Sequence, residues 1–446
     1  MTAAAASADR STPAGLPARQ AALAALYAVE TQGRALDAGL SATFRRLALE
    51  PRDRAFAYLL ASTVLRRQGW IDRVLDQYLK KPPQLEVRIA LRLGVAQLLF
   101  LGSPPHAAVG LSVEAMKADR DTARAAGLAN AVLRKIAQAG PSALRGFRPS
   151  EALPDWLARR WNATYGPQTA DAMAQAGFAE PPLDLTVKRD PSFWAAQLGG
   201  RVLPNGAVRL DEIGDVTSLP GYADGEWWVQ DAAAALPATL LGPVRGRMVA
   251  DLCAAPGGKT AQLAAAGARV TAVDVSGKRL ERLKTNLDRL TLSAEAVAAD
   301  ATQWRPERPF DAVLLDAPCS ATGTLRRRPD AAWTRDPDAI GALAPVQTAL
   351  LNAAADMLAP GGTLVFCTCS LEPEEGPSIV ARALAAGAPI VPDPIRPAEI
   401  PGLEPALLAD GTLRTRPDHW AEHGGVDGFF IARFRRRDLF SAGLNP

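Results

Sequence analysis

From Met248 onward the chain alternates two periodicities. Five runs, Met248 to Leu252, Val270 to Val273, Ala294 to Ala298, Phe310 to Leu315 and Thr363 to Thr368, are apolar and too short to be helices, and stretches with helical spacing lie between them. Parallel strands need a long crossover, which a helix supplies. The alternation therefore predicts an α/β domain over 236–437, a doubly wound and mostly parallel sheet with helices on both faces. A late run, Gly428 to Phe434, is expected to add one antiparallel strand at the edge.

Upstream the pattern is different. Between Pro17 and about Ala139, apolar residues recur at steps of three and four: Leu23, Leu26 and Tyr27; Phe56, Leu59, Leu60 and Val64; Ile89, Leu93, Ala96 and Leu99. Turn signals at Gly33, Glu50-Pro51, Lys81-Pro82-Pro83 and Ser103-Pro104-Pro105 divide this stretch into helices, so residues 16–140 are expected to form an all-α domain. Residues 1–15, rich in Ala, Ser, Thr and Pro, are expected to be a disordered leader. Residues 150–235, with Trp156, Trp161, Trp227 and Trp228 and a strand at Leu183 to Val187, are expected to be a small α/β connector.

Charge divides along the same boundary. Residues 16–135 hold 18 Lys and Arg against 10 Asp and Glu, while the whole chain carries only +3. A basic helical part suggests a polyanion partner, although a solvated basic surface would look the same. Three stretches add to this: Leu91 to Phe100, Pro104 to Val109, and Gly127 to Arg134. Together they resemble the NusB antitermination fold, which implies a small helical RNA-binding domain. His106, beside two prolines at a helix start, reads as structural.

No run of about 18 apolar residues appears, so no membrane partner is expected and a cytoplasmic location is the simplest reading. Four cysteines in 446 residues do not make a disulfide framework. Without a C-x-x-C pair, and with histidines only at 106, 419 and 423, neither a zinc site nor a Cys-His hydrolase is expected. No metal is expected.

The first strand runs into Cys253-Ala254-Ala255-Pro256-Gly257-Gly258-Lys259-Thr260. Small residues there let the backbone approach a ligand, and the following helix presents free amides. A nucleotide-triphosphate loop would need Gly five residues before Gly258, where Cys253 stands, and a dinucleotide loop would need G-x-G-x-x-G spacing, so neither fits. Asp274, Asp300 and Asp316 close the next three strands. One such Asp could be a helix cap, but together with the loop they mark the crevice at the carboxyl ends of a parallel sheet.

The loop resembles motif I of class I, Rossmann-like methyltransferases, in the form found in RNA 5-methylcytosine enzymes. That resemblance implies S-adenosyl-L-methionine as cofactor, with Cys253 to Lys259 at its methionine part, Asp274 at the ribose and Asp300 near the adenine.

Carbon 5 of cytosine is a poor nucleophile until a thiolate adds to carbon 6, so this chemistry demands a cysteine. Two follow strand ends: Cys319 in Asp316-Ala317-Pro318-Cys319-Ser320 and Cys369 in Cys367-Thr368-Cys369-Ser370. Cys367, inside a covered strand, and Cys253, under the loop, read as packing. The stretches 316–323 and 368–375 resemble motifs IV and VI of the Nol1/Nop2/Sun (RsmB/NOP) family, and the domain order is similar to that of its RsmB subgroup. The resemblance implies methylation of 16S (small-subunit) rRNA. It makes Cys369 the nucleophile and Cys319 the residue that assists release, with Asp316 on the cytosine edge.

Lys259 is a candidate to lower the thiolate pKa. Arg326, Arg327 and Arg328, followed by Trp333, could bind RNA phosphate or form a solvated run. The chain departs from the family pattern at Gly376-Pro377, where a polar residue is expected after Pro-Glu-Glu, and at Arg328, where His is common; both bear on RNA positioning. Methylation of tRNA is the near alternative, and a non-catalytic RNA-binding or antitermination protein the distant one.

Overall fold

A computed structural model describes residues 13–211 and 214–437. The expected leader falls, up to residue 12, outside them. By packing, the chain forms two units, one holding residues up to Phe178 together with Arg328–Arg335, the other Ala179–Arg327 and Asp336 onward.

The first unit is helical: α1 (Leu16–Gln32), α2 (Leu36–Leu47), α3 (Pro51–Tyr78), α4 (Leu85–Leu99), α5 (Pro105–Lys117), α6 (Ala126–Ala139), α7 (Asp155–Tyr165) and α8 (Pro167–Ala176). The punctuation seen in the sequence does what its chemistry allows. Gly33 closes α1 in the left-handed conformation, and Pro51 and Pro105 open α3 and α5, where a missing N–H costs nothing. Leu26, Leu60, Val64, Ile89, Leu93 and Ala96 are buried in one core, while Tyr27 and Leu59 of the same periodic runs stay more than a third exposed.

Several arginines of the basic stretch also turn inward. Arg19 donates to Gln97 Oε1 at 2.9 and 2.6 Å, Arg92 pairs with Asp72 at 2.7 Å and with Glu30, and Arg88 pairs with Asp72 and Asp76 at 3.0 and 2.9 Å. Arg67 lies over Phe100 and Phe178, and burial, then its neighbour Arg66, pulls its pKa down to about 10. Part of the formal charge is thus structural.

The stretch 150–235, expected as one connector, divides between the units. Helices α7 and α8 pack on each other and on the turn at Pro149–Ala152, which in turn packs on α3, in the helical unit. The remainder forms, in the second unit, an antiparallel sheet of β1 (Leu183–Val187), β2 (Arg201–Val202), β3 (Val208–Leu210) and β4 (Trp227–Val229), in the order β2-β3-β1-β4.

The main sheet of the second unit contains β5 (Met248–Leu252), β6 (Arg269–Asp274), β7 (Glu295–Ala298), β8 (Phe310–Asp316), β9 (Leu358–Thr368), β10 (Ile390–Pro392), β11 (Leu413–Arg414) and β12 (Phe430–Arg436). The order is β10-β12-β9-β8-β5-β6-β7, with β11 beside β12. Strands β9, β8, β5, β6 and β7 run parallel. Successive residues face opposite cores: Val249, Leu314 and Val365 on one side, Ala250, Leu315 and Phe366 on the other. Burial of both faces explains why these strands read as unbroken apolar runs.

One expectation is corrected. The late antiparallel strand begins at Phe430 and is not at the edge, because β9 pairs with one side of it and β10 with the other. Its apolar residues on both faces are accounted for by burial in two cores, Ile431 in one and Phe430, Ala432 and Phe434 in the other. No helix among the described residues is long and apolar enough to cross a membrane.

Two glycines of the helical unit should respond oppositely to a methyl group. A Cβ on Gly69 would overlap the carbonyl of Glu151, whereas one on Gly110, inside α5, meets nothing within 4 Å. Gly69→Ala is expected to destabilise by about 1–3 kcal/mol, and Gly110→Ala to stabilise by up to about 1 kcal/mol. Urea denaturation followed by circular dichroism measures both.

Candidate active site

The strand order lays the sequence motifs side by side. Chain direction reverses its progress across the sheet between β5 and β8, which opens a crevice at their carboxyl ends. Leu252 of β5 lies opposite Leu315 of β8, and Asp316 lies opposite Cys367 of β9. The loops after β9, β8, β5, β6 and β7 therefore carry, in a row, Cys369, Asp316 with Cys319, the small-residue loop, Asp274 and Asp300.

A cavity of about 530 Å³ opens at the β5–β7 end of this row, large enough for a nucleoside-sized ligand. Cys253, Asp274, Val275, Asp300, Thr302 and Pro318 are among its lining residues. Ala254 and Ala255 are buried and Pro256 is exposed. Gly257 has a φ of 104°, and a Cβ there would meet Leu283 at 2.8 Å, so only glycine closes this turn.

Asp274 is buried; its Oδ1 accepts from the Ser276 amide at 3.0 Å and its Oδ2 from the Ala255 amide at 3.2 Å, with Arg279 at 3.2 Å. A carboxylate has about four acceptor positions, so it retains capacity for hydroxyl donors. Asp300 is exposed at the rim, where hydrogen bonds from the Thr302 hydroxyl and amide hold its carboxyl below the usual range. The Cys253 thiol lines the cavity as a neutral group, pushed up to about 12 by burial and then by Asp316, Asp274 and Asp251. These donors, acceptors and close-approach turn fit an adenosyl group with a polar tail.

The second half of the row is a cluster of sulfur and charge. Lys259 donates to Asp316 Oδ2 at 2.7 Å and lies 5.2 Å from the centre of the Phe429 ring. Burial works against its charge, but Asp316, Cys367 and Asp251 together outweigh burial and raise its pKa. Lys259, the candidate for lowering a thiolate pKa, thus gives its hydrogen bond to Asp316. Cys367 is fully buried, and its S–H donates to the other oxygen of Asp316 at 3.5 Å. Burial and then Asp316 push that thiol well above its ordinary value.

Cys319 and Cys369 meet with their sulfurs 3.3 Å apart, both partly exposed. The hydrogen bond with Cys369, then burial, then the charge of Cys369 and of Glu375 push the Cys319 thiol well above its ordinary value. The backbone brings the two loops together. The Gly323 amide donates to Cys369 O at 2.9 Å, and the Gly428 amide to Gly323 O at 2.8 Å. A side chain at Gly323 would overlap the Gly428 carbonyl. Gly376, a departure from the family pattern, is explained likewise: a Cβ there would meet the Phe430 ring at 2.7 Å.

The arginine run is corrected. Arg326 is buried between Asp231 and Asp427 at 3.8 and 3.5 Å, and Arg327 pairs with Asp231 at 2.8 Å and Asp427 at 3.3 Å. Nearby, Arg209 and Asp184 form a fully buried bidentate pair at 2.6 Å. These groups are neither solvated nor offered to phosphate. Burial alone would raise the Asp231 carboxyl, but Arg327 and Arg326 hold it below the usual range; Asp427 is pushed up to about 7 by burial and by Asp231. Arg328 is half-exposed beside Asp330, and Trp333 donates its indole N–H to Leu65 O at 2.8 Å within the helical unit. Lys188, just after β1, donates to the Leu290 carbonyl.

Sequence reasoning missed Glu375, Ser320, Ser370 and Gln347, a fully buried polar group under the two cysteines. The signal was the repeated Cys-Ser pair, 319–320 and 369–370. It also missed Asp251, which accepts from Thr260 Oγ1 at 2.6 Å.

Two outcomes follow from the buried charges. Burial pushes the Asp251 carboxyl up to about 7, against the Thr260 hydroxyl and Lys259. The folded state then binds this proton more tightly than the unfolded chain, whose Asp titrates near about 4. Its stabilising effect is full below that value and is lost as pH rises toward 7, so Asp251→Asn should show a smaller drop in melting temperature between pH 5 and pH 8 than the wild type. Separately, Arg326→Met leaves buried carboxylates short of a partner and should cost about 3–5 kcal/mol, against under about 0.5 kcal/mol for the exposed Arg328→Met, both read from urea midpoints.

Comparison with known proteins agrees with this architecture. Residues 238–435 match the family described as 16S rRNA methyltransferase RsmB/F, and residues 16–138 match the NusB family. Ribosomal RNA small subunit methyltransferase B of Pseudomonas putida is 37% identical over 442 residues, 93% of this chain and 97% of its own. Its namesake in Xanthomonas campestris is 40% identical over 379 residues, 80% and 85% of the two chains. The crystal structure of PH0851 superposes with a TM-score of 0.74 at 23% identity, over 96% of this chain and 100% of that one, which shows a shared fold. By sequence over nearly its whole length, the chain belongs to the RsmB/F family of 16S rRNA methyltransferases, with a NusB-family domain ahead of the methyltransferase sheet.

Proposed function

We propose that this protein transfers a methyl group from S-adenosyl-L-methionine to carbon 5 of a cytosine in small-subunit rRNA, through a covalent bond between Cys369 and the base. The observation that carries the reading is the 3.3 Å contact between Cys319 and Cys369, beside the Asp316–Lys259 pair and one strand from the cavity. Bound S-adenosyl-L-methionine supplies a methyl group on a sulfonium. Residues Cys253 to Lys259, Asp274 and Asp300 would hold it, and Asp316 would meet the cytosine edge.

Cys369 adds as a thiolate to carbon 6, which makes carbon 5 an enamine carbon able to accept the methyl. Loss of the carbon 5 proton then lets the sulfur–carbon bond break, restoring the ring and the thiolate. Cys319 suits the second step. While Cys369 is a free thiolate, its hydrogen bond and charge keep Cys319 protonated. Once Cys369 is bonded to carbon 6 that charge is gone, the Cys319 proton can pass to solvent, and the resulting thiolate can take the carbon 5 proton. The target base must leave its stack to reach the crevice, and the NusB-family domain supplies RNA contacts.

Incubation with methyl-labelled cofactor and either small-subunit rRNA or tRNA tests this reading. Label should enter rRNA at carbon 5 of cytosine; Cys369→Ala should abolish transfer and Cys319→Ala should accumulate a protein–RNA adduct that survives a denaturing gel. Transfer surviving in Cys369→Ala, or label entering only tRNA, would overturn it.

A further inference from the structure

We propose that Glu375 is a positioning residue for the release step: a buried carboxylate clamp that holds the Cys319 loop against the Cys369 loop. The proposal rests on the reading of the two cysteines given above. Glu375 follows Cys369 in the chain, in the turn Pro373–Glu375, yet its side chain crosses to the other loop. Its Oε1 accepts from the Ser320 amide at 2.9 Å and its Oε2 from the Ser320 hydroxyl. Gln347, on the helix Pro337–Asp356, donates to the same Oε1 at 3.1 Å and to Pro318 O at 2.8 Å. The residues immediately before and after Cys319 are thus both held, and the thiol between them is aimed.

The clamp is tied to the nucleophile's side as well. Ser320 Oγ lies 3.2 Å from Ser370 Oγ, so the Cys–Cys contact is repeated one residue further on as a Ser–Ser contact. Ser370 Oγ accepts from the Glu372 amide and Thr322 Oγ1 from the Leu371 amide, each at 3.0 Å. Thr368 donates to Glu375 O at 3.0 Å. Glu375, Ser320, Ser370 and Gln347 are completely buried. A carboxylate, with about four acceptor positions, receives a backbone amide, a hydroxyl and a side-chain amide together in such a place. Because the Glu375 side chain bonds to Ser320 and Gln347, while Thr368 beside Cys369 is held by the Glu375 backbone carbonyl, loss of the carboxylate should spare attack and impair release.

The test uses the full-length protein, transcribed small-subunit rRNA and methyl-labelled S-adenosyl-L-methionine, scoring first-turnover label, multiple-turnover rate and gel-stable adduct. Glu375→Ala should keep first-turnover labelling near wild type, lower multiple turnover about tenfold or more, and accumulate adduct as Cys319→Ala does. Glu375→Gln should recover most of the turnover. Its oxygen keeps the two nitrogen donors, and its NH2 can donate to Ser320 Oγ, whose proton then turns to Ser370.

Ser320→Ala, which removes one hydroxyl, should give the same pattern more weakly and decides the matter if Glu375→Ala is insoluble. Equal slowing of first-turnover labelling and release overturns the clamp, as does the absence of adduct in Glu375→Ala and Ser320→Ala where Cys319→Ala gives one. Absence of adduct in Cys319→Ala as well would overturn instead the role given to that cysteine.

Discussion

The register between three parallel strands carries the rest of the catalytic unit. With Leu315 opposite Leu252, and Asp316 opposite Cys367, the chain leaves each strand at the same height, and three loops must meet. A slip of one residue would turn every side chain of a strand to its other face. The apolar residues on both sides of β8 and β9, packed into two separate cores, oppose that slip. Hydrophobic packing therefore sets where the sulfurs stand, although none of the packed residues takes part in chemistry.

Much of this arrangement was legible because parallel strands advertise themselves. β5 and β1 occupy the spans read from their apolar runs, and the loop from Cys253 to Lys259 could be placed because glycine and alanine have few other reasons to cluster between a strand and a helix. What escaped were long-range partners of polar residues. Arg326 and Arg327 look like a solvated run beside each other in sequence; their carboxylates sit at 231 and 427, a hundred residues away in either direction. Glu375 reads as one acid in an acidic turn until Ser320 is placed beside it. The edge expected for β12 failed for a related reason, since β10 has only three residues and no pattern long enough to read.

Charge counting was misleading in the same way. The surplus of the helical part drew attention to a polyanion, yet Arg19, Arg88 and Arg92 spend their donors on Gln97, Asp72, Asp76 and Glu30. Buried guanidinium groups with planar, multi-donor geometry are scaffolding that happens to be cationic. The membership of this part in the NusB family, rather than the arithmetic of its charge, is what supports an RNA-facing role.

The eight residues from Arg328 to Arg335 pack with the helical unit, although the chain on either side of them belongs to the sheet unit. Trp333 donates to the Leu65 carbonyl and lies against the same core as Leu60 and Val64. On the ribosome, the helices of α1 to α8 emerge early, but this piece of their core is not synthesised until Ala179–Arg327 has been translated. Until then the N-terminal bundle lacks the Trp333 packing and its hydrogen bond to Leu65, and a fragment cut at the boundary between the units would lack both throughout.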